Sequence, residues 1–280
     1  MHGRLARKLL GSTMTGVTYG AAALAILPLA VILAMLLFKG AGSIDWDFFT
    51  KAAVPLGEKG GGFSHAIVGT LIIVGLACLV GVPIGVATGI FLAEFGGGRV
   101  GFGIRFVADV LNGVPSIVIG IFAWTWLVKP MGRFSALAGG VALGMILVPI
   151  LARTTEEMVR LVPNSLREAA LALGYPRWRT SLVVVVRTAA AGILTGCLVA
   201  VARVAGETAP LLFTALGNQF FSTRLNGPMA ALPLQVYTYA LGPYDEWHRQ
   251  AWAGALVLIV LVLALSLFAR AVVRAKRQHA

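Results

Sequence analysis

Residues 202–210 read Ala-Arg-Val-Ala-Gly-Glu-Thr-Ala-Pro and lie inside the apolar stretch 188–217, in which Arg203 and Glu207 are the charged side chains. An apolar stretch of this length is typical of a helix that crosses a membrane. A charge inside such a helix is costly, so its presence there indicates a functional site. We therefore expect an integral membrane protein whose site includes Arg203 and Glu207.

The composition supports a membrane protein made of helices. The chain is 58% hydrophobic and 12% charged, whereas a soluble domain carries about a quarter charged residues. The apolar runs are also far longer than the ~10-residue strands of a membrane barrel. The net charge of +12 is concentrated in short loops beside those runs, which predicts contact with membrane lipid and not with nucleic acid. The expected fold class is all-α.

We predict six transmembrane helices in a single domain, 1–280. The predicted spans are 17–38, 66–92, 106–128, 136–151, 188–217 and 251–269. The core covers about 66–270, the first helix is peripheral, and 152–187 forms a cytoplasmic loop. Placing both termini in the cytoplasm puts about twice as many Lys and Arg residues inside as outside, as the positive-inside rule requires. Three glycine patterns predict close helix packing: Gly81/Gly85/Gly89, Gly140/Gly144 and Gly192/Gly196.

The cytoplasmic loop contains a short helix with clear end signals. Ser165 and Glu168 have the spacing of a capping box, while Gly174 and the following Pro176 are typical of a helix C-terminus. A helix of about two turns is marginal alone in water. Four of its residues predict a partner surface; they are Leu166, Ala169, Ala170 and Leu173. The alternative is a well-capped loop helix without a partner.

Arg203 and Glu207 are four residues apart, so a continuous helix would place them on one face as an ion pair. If the helix starts near residue 189, Arg203 lies about 21 Å along it, well inside the membrane. Pro210 is expected to kink the helix just beyond this pair.

Several polar residues near the other spans are further candidates. Asn112 and Ser116 lie beside Pro115 and are expected to line a path. Asp109 is predicted to pair with Arg105 at i, i+4. Arg153 at the inner end of the fourth span either extends to the interface or helps an anion to leave.

The segment Glu168-Ala169-Ala170, followed after three residues by Gly174, resembles the EAA motif of ABC-importer permeases. In that family the motif forms a coupling helix that inserts into a groove of the ATPase. This chain departs from the family pattern at Arg187, where the family has proline, so we expect the helix to continue there. Residues 202–216 and 112–118 resemble two signatures of phosphate-specific ABC permeases, closest to the PstA-type subunit, and 153–156 and 251–254 also fit. The match covers about residue 66 to the C-terminus.

This resemblance implies a type I permease fold in the bacterial inner membrane, with transport by alternating access. It implies four partners: a second permease subunit (PstC-type), two ATPase subunits (PstB-type) that bind ATP and Mg²⁺, and a phosphate-binding protein (PstS-type). This chain would then be no enzyme and hold no cofactor or metal. The implied substrate path contains Arg203, Glu207, Thr208, Asn112, Ser116 and Arg153. The implied ATPase-coupling residues are Arg167, Glu168, Ala169, Ala170, Leu173 and Gly174.

Several alternatives remain open. Another oxyanion, sulfate or molybdate, would suit the same architecture, and Arg203 with Glu207 would serve equally well to lock two permease subunits together. In the phosphate interpretation, Glu207 neutralises Arg203 in the empty state or accepts a proton-bearing oxygen, which sulfate lacks at neutral pH. A proton-coupled secondary transporter and an intramembrane hydrolase are candidates from other classes. No Walker A pattern occurs in the sequence, so this chain is not expected to bind ATP.

Overall fold

The computed structural model describes residues 2–55 and 60–278, and within them the chain is helical without a β-sheet. This confirms the predicted all-α fold. The helices are α1 His2–Gly40, α2 Trp46–Thr50, α3 Ser64–Glu94, α4 Gly98–Gly113, α5 Ser116–Ala123, α6 Lys129–Met131, α7 Ala136–Arg160, α8 Asn164–Ala172, α9 Arg177–Arg179, α10 Val186–Val204, α11 Ala209–Thr214, α12 Leu232–Ala240 and α13 Asp245–Gln278. A π-helical turn, Trp124–Val128, joins α5 to α6, and a second, Thr180–Val185, joins α9 to α10.

Five helical segments of the described chain are long and apolar enough to cross a membrane, and a bent pair of helices makes a sixth when it is counted as one span. Counted in this way, the chain has the six membrane spans that the sequence predicted. The five are Thr13–Ser43, Ser64–Glu94, Ala136–Arg160, Arg177–Val204 and Asp245–Phe268.

The third predicted span, 106–128, consists of two helices joined by a sharp bend. Helix α4 and the segment Ser116–Met131 meet at an angle of 103°. The bend falls at Val114 and Pro115, both of which have extended backbone conformations. Proline lacks an N–H group and disfavours the helical conformation for the residue before it. Pro115 therefore accounts for the bend and for the fresh helix that begins at Ser116.

The fifth predicted span, 188–217, has wrong helical limits. Its helix already begins at Arg177 and runs 28 residues to Val204. The chain then leaves the helix, and α11 begins at Ala209 with Pro210 in its first turn. Gly206 is a poor helix former and proline fits the first turn of a helix best, so the sequence favours a break between them. The fourth span also continues beyond its predicted end at residue 151, as far as Arg160.

Helix α7 is the central element, with α3 on one side and α10 on another. The glycines of α3 allow a close approach: a Cβ atom built on Gly85 would lie 2.6 Å from the Leu151 Cβ. On the α10 side, a Cβ on Gly196 would lie 2.4 Å from the Thr154 Cγ2. Both separations are shorter than atoms tolerate. The glycine patterns therefore serve helix packing, as predicted.

Helix α1 is packed quite differently. Only 6% of its most apolar window is buried within the chain, and its main contact is with α13. Close to its C-terminus, a Cβ on Gly40 would lie 2.8 Å from the Trp252 carbonyl oxygen. The first span thus lies at the edge of the bundle formed by α3, α7, α10 and α13.

Candidate functional site

A buried carboxylate near the C-terminal end of α7 is surrounded by three arginines. Glu156 is 1% exposed. Its Oε1 atom lies 2.6 Å from the Arg105 Nε and 2.6 Å from an Arg160 Nη atom, and its Oε2 atom lies 3.1 Å from an Arg153 Nη atom. Arg153 and Arg160 are at i−3 and i+4 on the same helix, so they share the face of Glu156. Arg105 comes from α4 and connects that helix to α7.

Two of these arginines make further contacts. Arg105 donates to the carbonyl oxygens of Leu92 and Gly96, at 2.6 and 2.9 Å. Arg153 forms a two-point contact with Asp109, at 2.9 and 3.2 Å. The predicted local pair between Arg105 and Asp109 is therefore wrong. Arg105 pairs with the buried Glu156 instead, where water competes less, and Asp109 pairs with Arg153 across the interface between α4 and α7.

Helix α8 begins for a different reason than the sequence suggested, but it ends as the sequence predicted. Its N-cap residue is Pro163, and no side chain accepts a capping hydrogen bond there. The predicted capping box is wrong because Ser165 is already the second residue of the helix. At the other end Gly174 has a φ of +83°. The N–H of Gly174 donates to Leu171 at 2.9 Å, and that of Tyr175 to Ala170 at 3.2 Å. This is a Schellman motif, so the predicted glycine stop is confirmed.

Arg167 faces the protein and holds α8 in place. Its guanidinium lies 2.9 Å from an oxygen of Glu94, at the end of α3, and donates to the Val159 carbonyl oxygen at 3.0 Å. The other oxygen of Glu94 accepts a 2.7 Å hydrogen bond from the Ser181 hydroxyl. Predicted as a coupling residue, Arg167 thus acts within this chain as the anchor that joins α8 to α3 and α7.

The opposite face of α8 is open. Glu168 and Ala169 are exposed, and Leu173 is 79% exposed. Ala170 differs from the sequence expectation because it is 5% exposed and packs within the chain. The part of α8 available to another protein is therefore the side that carries Glu168, Ala169 and Leu173.

The register between α7 and α10 gives the depth of Arg203. Gly192 lies against Met158 and Gly196 against Thr154, so the helices are antiparallel. Continuing that register places Arg203 level with the middle of α7, near Leu147. In agreement, Val204 and Leu147 belong to the same buried cluster. The break at 205–208 therefore falls midway through the bundle.

The predicted ion pair between Arg203 and Glu207 is wrong. Arg203 is exposed in the last turn of α10, while Glu207 and Thr208 are half-buried in the segment before α11. Neither charge has an ion-pair partner within 4.0 Å among the described residues. The helix ends at Val204, so the i, i+4 geometry that would have joined the two side chains does not exist.

The other predicted path residues lie near the bend between α4 and α5. Asn112 is exposed in the last turn of α4, and Ser116 is the half-buried first residue of α5. One turn further, Gly120 packs against Pro210, where an added Cβ would lie 2.8 Å from the proline Cα. The bend is thus adjacent to the break after α10, although no hydrogen bond joins Asn112 or Ser116 to Arg203 or Glu207 in the described chain.

The sequence interpretation missed two structural carboxylates, Glu94 and Glu156. A signal existed for both of them. Glu94 is the one charged residue of α3, and Glu156 is followed four residues later by Arg160 on a helix that also carries Arg153. Their roles depend on partners from distant parts of the chain, 51 residues away for Arg105 and 73 for Arg167. Spacing alone does not identify such partners.

Comparisons with known proteins agree with this architecture. Among solved structures, the inward-facing MetNI methionine ABC transporter matches with a TM-score of 0.57 and 18% identity over 76% of this chain and 94% of that one. An amino acid ABC transporter with histidines matches with a TM-score of 0.57 and 19% identity, over 76% and 93%. At these identities the likeness establishes the fold, which is that of ABC importer permeases.

Sequence relatives are closer. The phosphate transport system permease protein PstA of Haemophilus influenzae is 45% identical over 94% of both chains. The protein of that name in Xylella fastidiosa strain Temecula1 is 50% identical over 84% of this chain and 83% of its own. A probable PstA of Methanocaldococcus jannaschii is 41% identical over 86% of each. The model of the family described as binding-protein-dependent transport system inner membrane component matches residues 85–278. Together with the helices long enough to span a membrane, these matches show that the chain is a multi-pass membrane protein belonging to that family.

Proposed function

We propose that this chain is the permease subunit of an ATP-driven importer of inorganic phosphate and forms half of the translocation path. The observation that carries the proposal is Arg203, which lies level with the middle of α7 beside a broken helix and has no ion-pair partner in the described chain. The phosphate permeases among the sequence relatives supply the choice of substrate.

The chemistry of the break suits an oxyanion. Backbone that is not helical is tolerated at membrane depth where it is covered by protein or lines a water-filled cavity. Ala205 is covered by the chain itself, whereas the exposed Gly206 and the half-buried Glu207 and Thr208 have to face a partner subunit or a path. Arginine remains protonated and presents a planar fork of donors that matches phosphate oxygens. In this proposal Thr208, Asn112 and Ser116 contribute uncharged polar groups to the path, and Arg153 completes it towards the cytoplasm.

The open face of α8 supports coupling to an ATPase. In this proposal Glu168, Ala169 and Leu173 contact the ATPase, while Arg167, Ala170 and Gly174 hold α8 in the right position. Two ATPase subunits of PstB type bind ATP and Mg²⁺ and drive alternating access. A second permease of PstC type completes the path, and a binding protein of PstS type delivers phosphate at the outer face. Both termini are cytoplasmic, and the complex lies in the bacterial inner membrane.

The test is uptake of ³²P-phosphate into vesicles that contain the reconstituted four-component complex. We expect uptake to require ATP and to resist competition by sulfate. Glu168→Lys is expected to reduce both ATPase association and uptake at least tenfold, whereas Glu157→Lys, which changes an exposed acid on α7, should leave both intact. Uptake of sulfate in place of phosphate would mean that sulfate is the substrate. Uptake without ATPase subunits would support a secondary transporter instead.

A second experiment addresses the role proposed for Glu207. In this proposal the Glu207 carboxylate accepts a hydrogen bond from the protonated oxygen of phosphate, and sulfate has no such proton at neutral pH. Sites that bind a substrate O–H discriminate strongly against analogues without it. We expect Glu207→Gln to increase competition by sulfate at least tenfold, with Glu207→Asp retaining most selectivity. Equal selectivity in all three proteins would assign Glu207 to contacts between the permease subunits.

A further inference from the structure

A cavity of about 400 Å³ lies between the end of α3, the side of α8 that carries Arg167 and the π-helical turn Thr180–Val185. In the proposed orientation it opens towards the cytoplasm. It is separate from the broken helix that carries Arg203. The polar residues that line it and matter here are Glu94, Arg160, Arg167, Arg177, Thr180 and Ser181.

The cavity contains more positive than negative charge. Arg160 is paired with Glu156 at 2.6 Å, and Arg167 is paired with Glu94 at 2.9 Å. Arg177 also lines the cavity, and its side chain has no hydrogen bond or ion pair with any residue that the structure describes. One guanidinium group at the cavity is therefore available to an anion from outside the chain.

A buried hydroxyl group points to the same kind of ligand. Thr180 is 3% exposed, and its Oγ1 atom has no hydrogen-bond partner in the described part of the chain. The neighbouring Ser181 hydroxyl, by contrast, donates to Glu94. Buried polar groups are rarely left unpaired because the loss of water is not compensated. A ligand with acceptor oxygens would supply the missing partner.

We propose that this cavity binds a small tetrahedral oxyanion from the cytoplasm, with donors from the Arg177 guanidinium and the Thr180 hydroxyl. Inorganic phosphate is the expected ion, and that choice rests on the proposed function. Arginine and hydroxyl donors match the geometry of phosphate oxygens. The residues of α8 that line the cavity are Asn164, Arg167 and Leu171, and the exposed Glu168, Ala169 and Leu173 are not among them. A protein that contacts the exposed Glu168 face therefore does not need to enter it.

Binding of an anion at this site would change the contacts that hold α8. Arg167 lines the cavity and is also the residue that joins α8 to Glu94. An anion bound beside Arg167 competes with Glu94 for its guanidinium or reinforces the cluster by bridging Arg167 and Arg177. In both cases phosphate on the cytoplasmic side would change how firmly α8 is held, and with it the surface offered to the ATPase.

The test is chemical protection of Arg177 in the purified complete complex, in a buffer free of phosphate and sulfate. Phenylglyoxal modifies accessible guanidinium groups, and mass spectrometry of peptides gives the rate at each arginine. We expect millimolar inorganic phosphate to slow modification of Arg177 at least threefold. Arg179 is the internal control because it is also exposed, lies two residues away, and stacks on Tyr175 outside the cavity lining.

Two variants make the test specific. Thr180→Val removes the hydroxyl at nearly constant shape and should abolish most of the protection, whereas Thr180→Ser should retain it. Absent protection, equal protection of Arg177 and Arg179, or protection that persists in Thr180→Val would overturn the proposal. A further outcome would also overturn it: slower modification of Arg177 when ATPase subunits are added without phosphate, compared with the permease pair alone. The readout does not depend on uptake, so a failure of the transport proposal would be seen separately in the vesicle assay.

Discussion

Two pairs of opposite charges in this protein have the same four-residue spacing and opposite outcomes. Glu156 and Arg160 lie on the uninterrupted helix α7 and pair at 2.6 Å. Arg203 and Glu207 also lie four residues apart, but α10 ends between them and they do not pair. The first pair belongs to the packed end of the bundle beside α8, and the second borders a break level with the middle of α7. A four-residue spacing therefore predicts an ion pair only where the helix is continuous.

The difference separates charges that build the protein from charges that remain available. Glu156 has three arginine partners, and Glu94 is shared by Arg167 and Ser181. These groups connect α3, α4, α7 and α8. Arg203 and Glu207 connect nothing within the described chain, so their charges are free to act on another molecule. Substitutions in the first region are expected to change stability, and those in the second to change transport.

The largest effect is expected for Glu156→Gln. The change leaves three arginines around a buried position without their shared carboxylate, and breaking a buried ion pair costs about 3–5 kcal/mol. We expect a clear fall in the midpoint of thermal unfolding of the detergent-solubilised complex. Glu157→Gln is the matched control because this neighbouring acid is exposed and forms no ion pair in the described chain. Similar midpoints for both variants would show that the cluster does not hold the helices together.

The next effect concerns Arg203→Gln. An unpaired, exposed arginine contributes little to folding, so the change in stability should stay within about 0.5 kcal/mol. Uptake of phosphate should fall about 100-fold, which corresponds to roughly 2.7 kcal/mol. Arg187→Gln serves as the control because Arg187 is exposed on the same helix, α10, but far from the break. A loss of uptake that accompanies a loss of complex assembly would instead make Arg203 a contact between the permease subunits.

The same contrast explains what the sequence could predict. Long apolar runs identified the membrane helices, and the glycine patterns identified the faces that pack, because both depend on properties repeated along many residues. The ends of helices were less predictable. Pro115 was noticed, but a proline predicts an interruption of the helix and not the size of the bend, which is 103°. The partners of Arg105 and Arg167 are distant in sequence, so the charge clusters became visible only in the folded chain.

A smaller effect is expected from Gly85→Ala, which tests the packing that supports the paired charges. The new methyl group would lie 2.6 Å from the Leu151 Cβ, so α3 and α7 would have to separate. Overpacking of this kind costs about 1–3 kcal/mol. Gly75→Ala on the same helix is the control, because a Cβ there meets nothing within 4 Å. We expect thermal unfolding at a lower temperature for the first variant alone. Equal midpoints would indicate that the two helices adjust freely.

The smallest effect is expected at Gly174, the residue that ends α8. Its φ of +83° lies in the left-handed region, where alanine is disfavoured by roughly 1 kcal/mol. Gly174→Ala should loosen the last turn of α8 and increase amide hydrogen exchange there, while global stability changes little. Gly174→Asn is the informative companion, because asparagine tolerates this conformation better. If α8 transmits ATPase movement, coupling of ATP hydrolysis to uptake should decline in the order glycine, asparagine, alanine. Faster exchange in α8 without any loss of coupling would mean that ATPase binding restores the helix, which would shift the control of coupling from the Schellman motif to the Arg167 anchor.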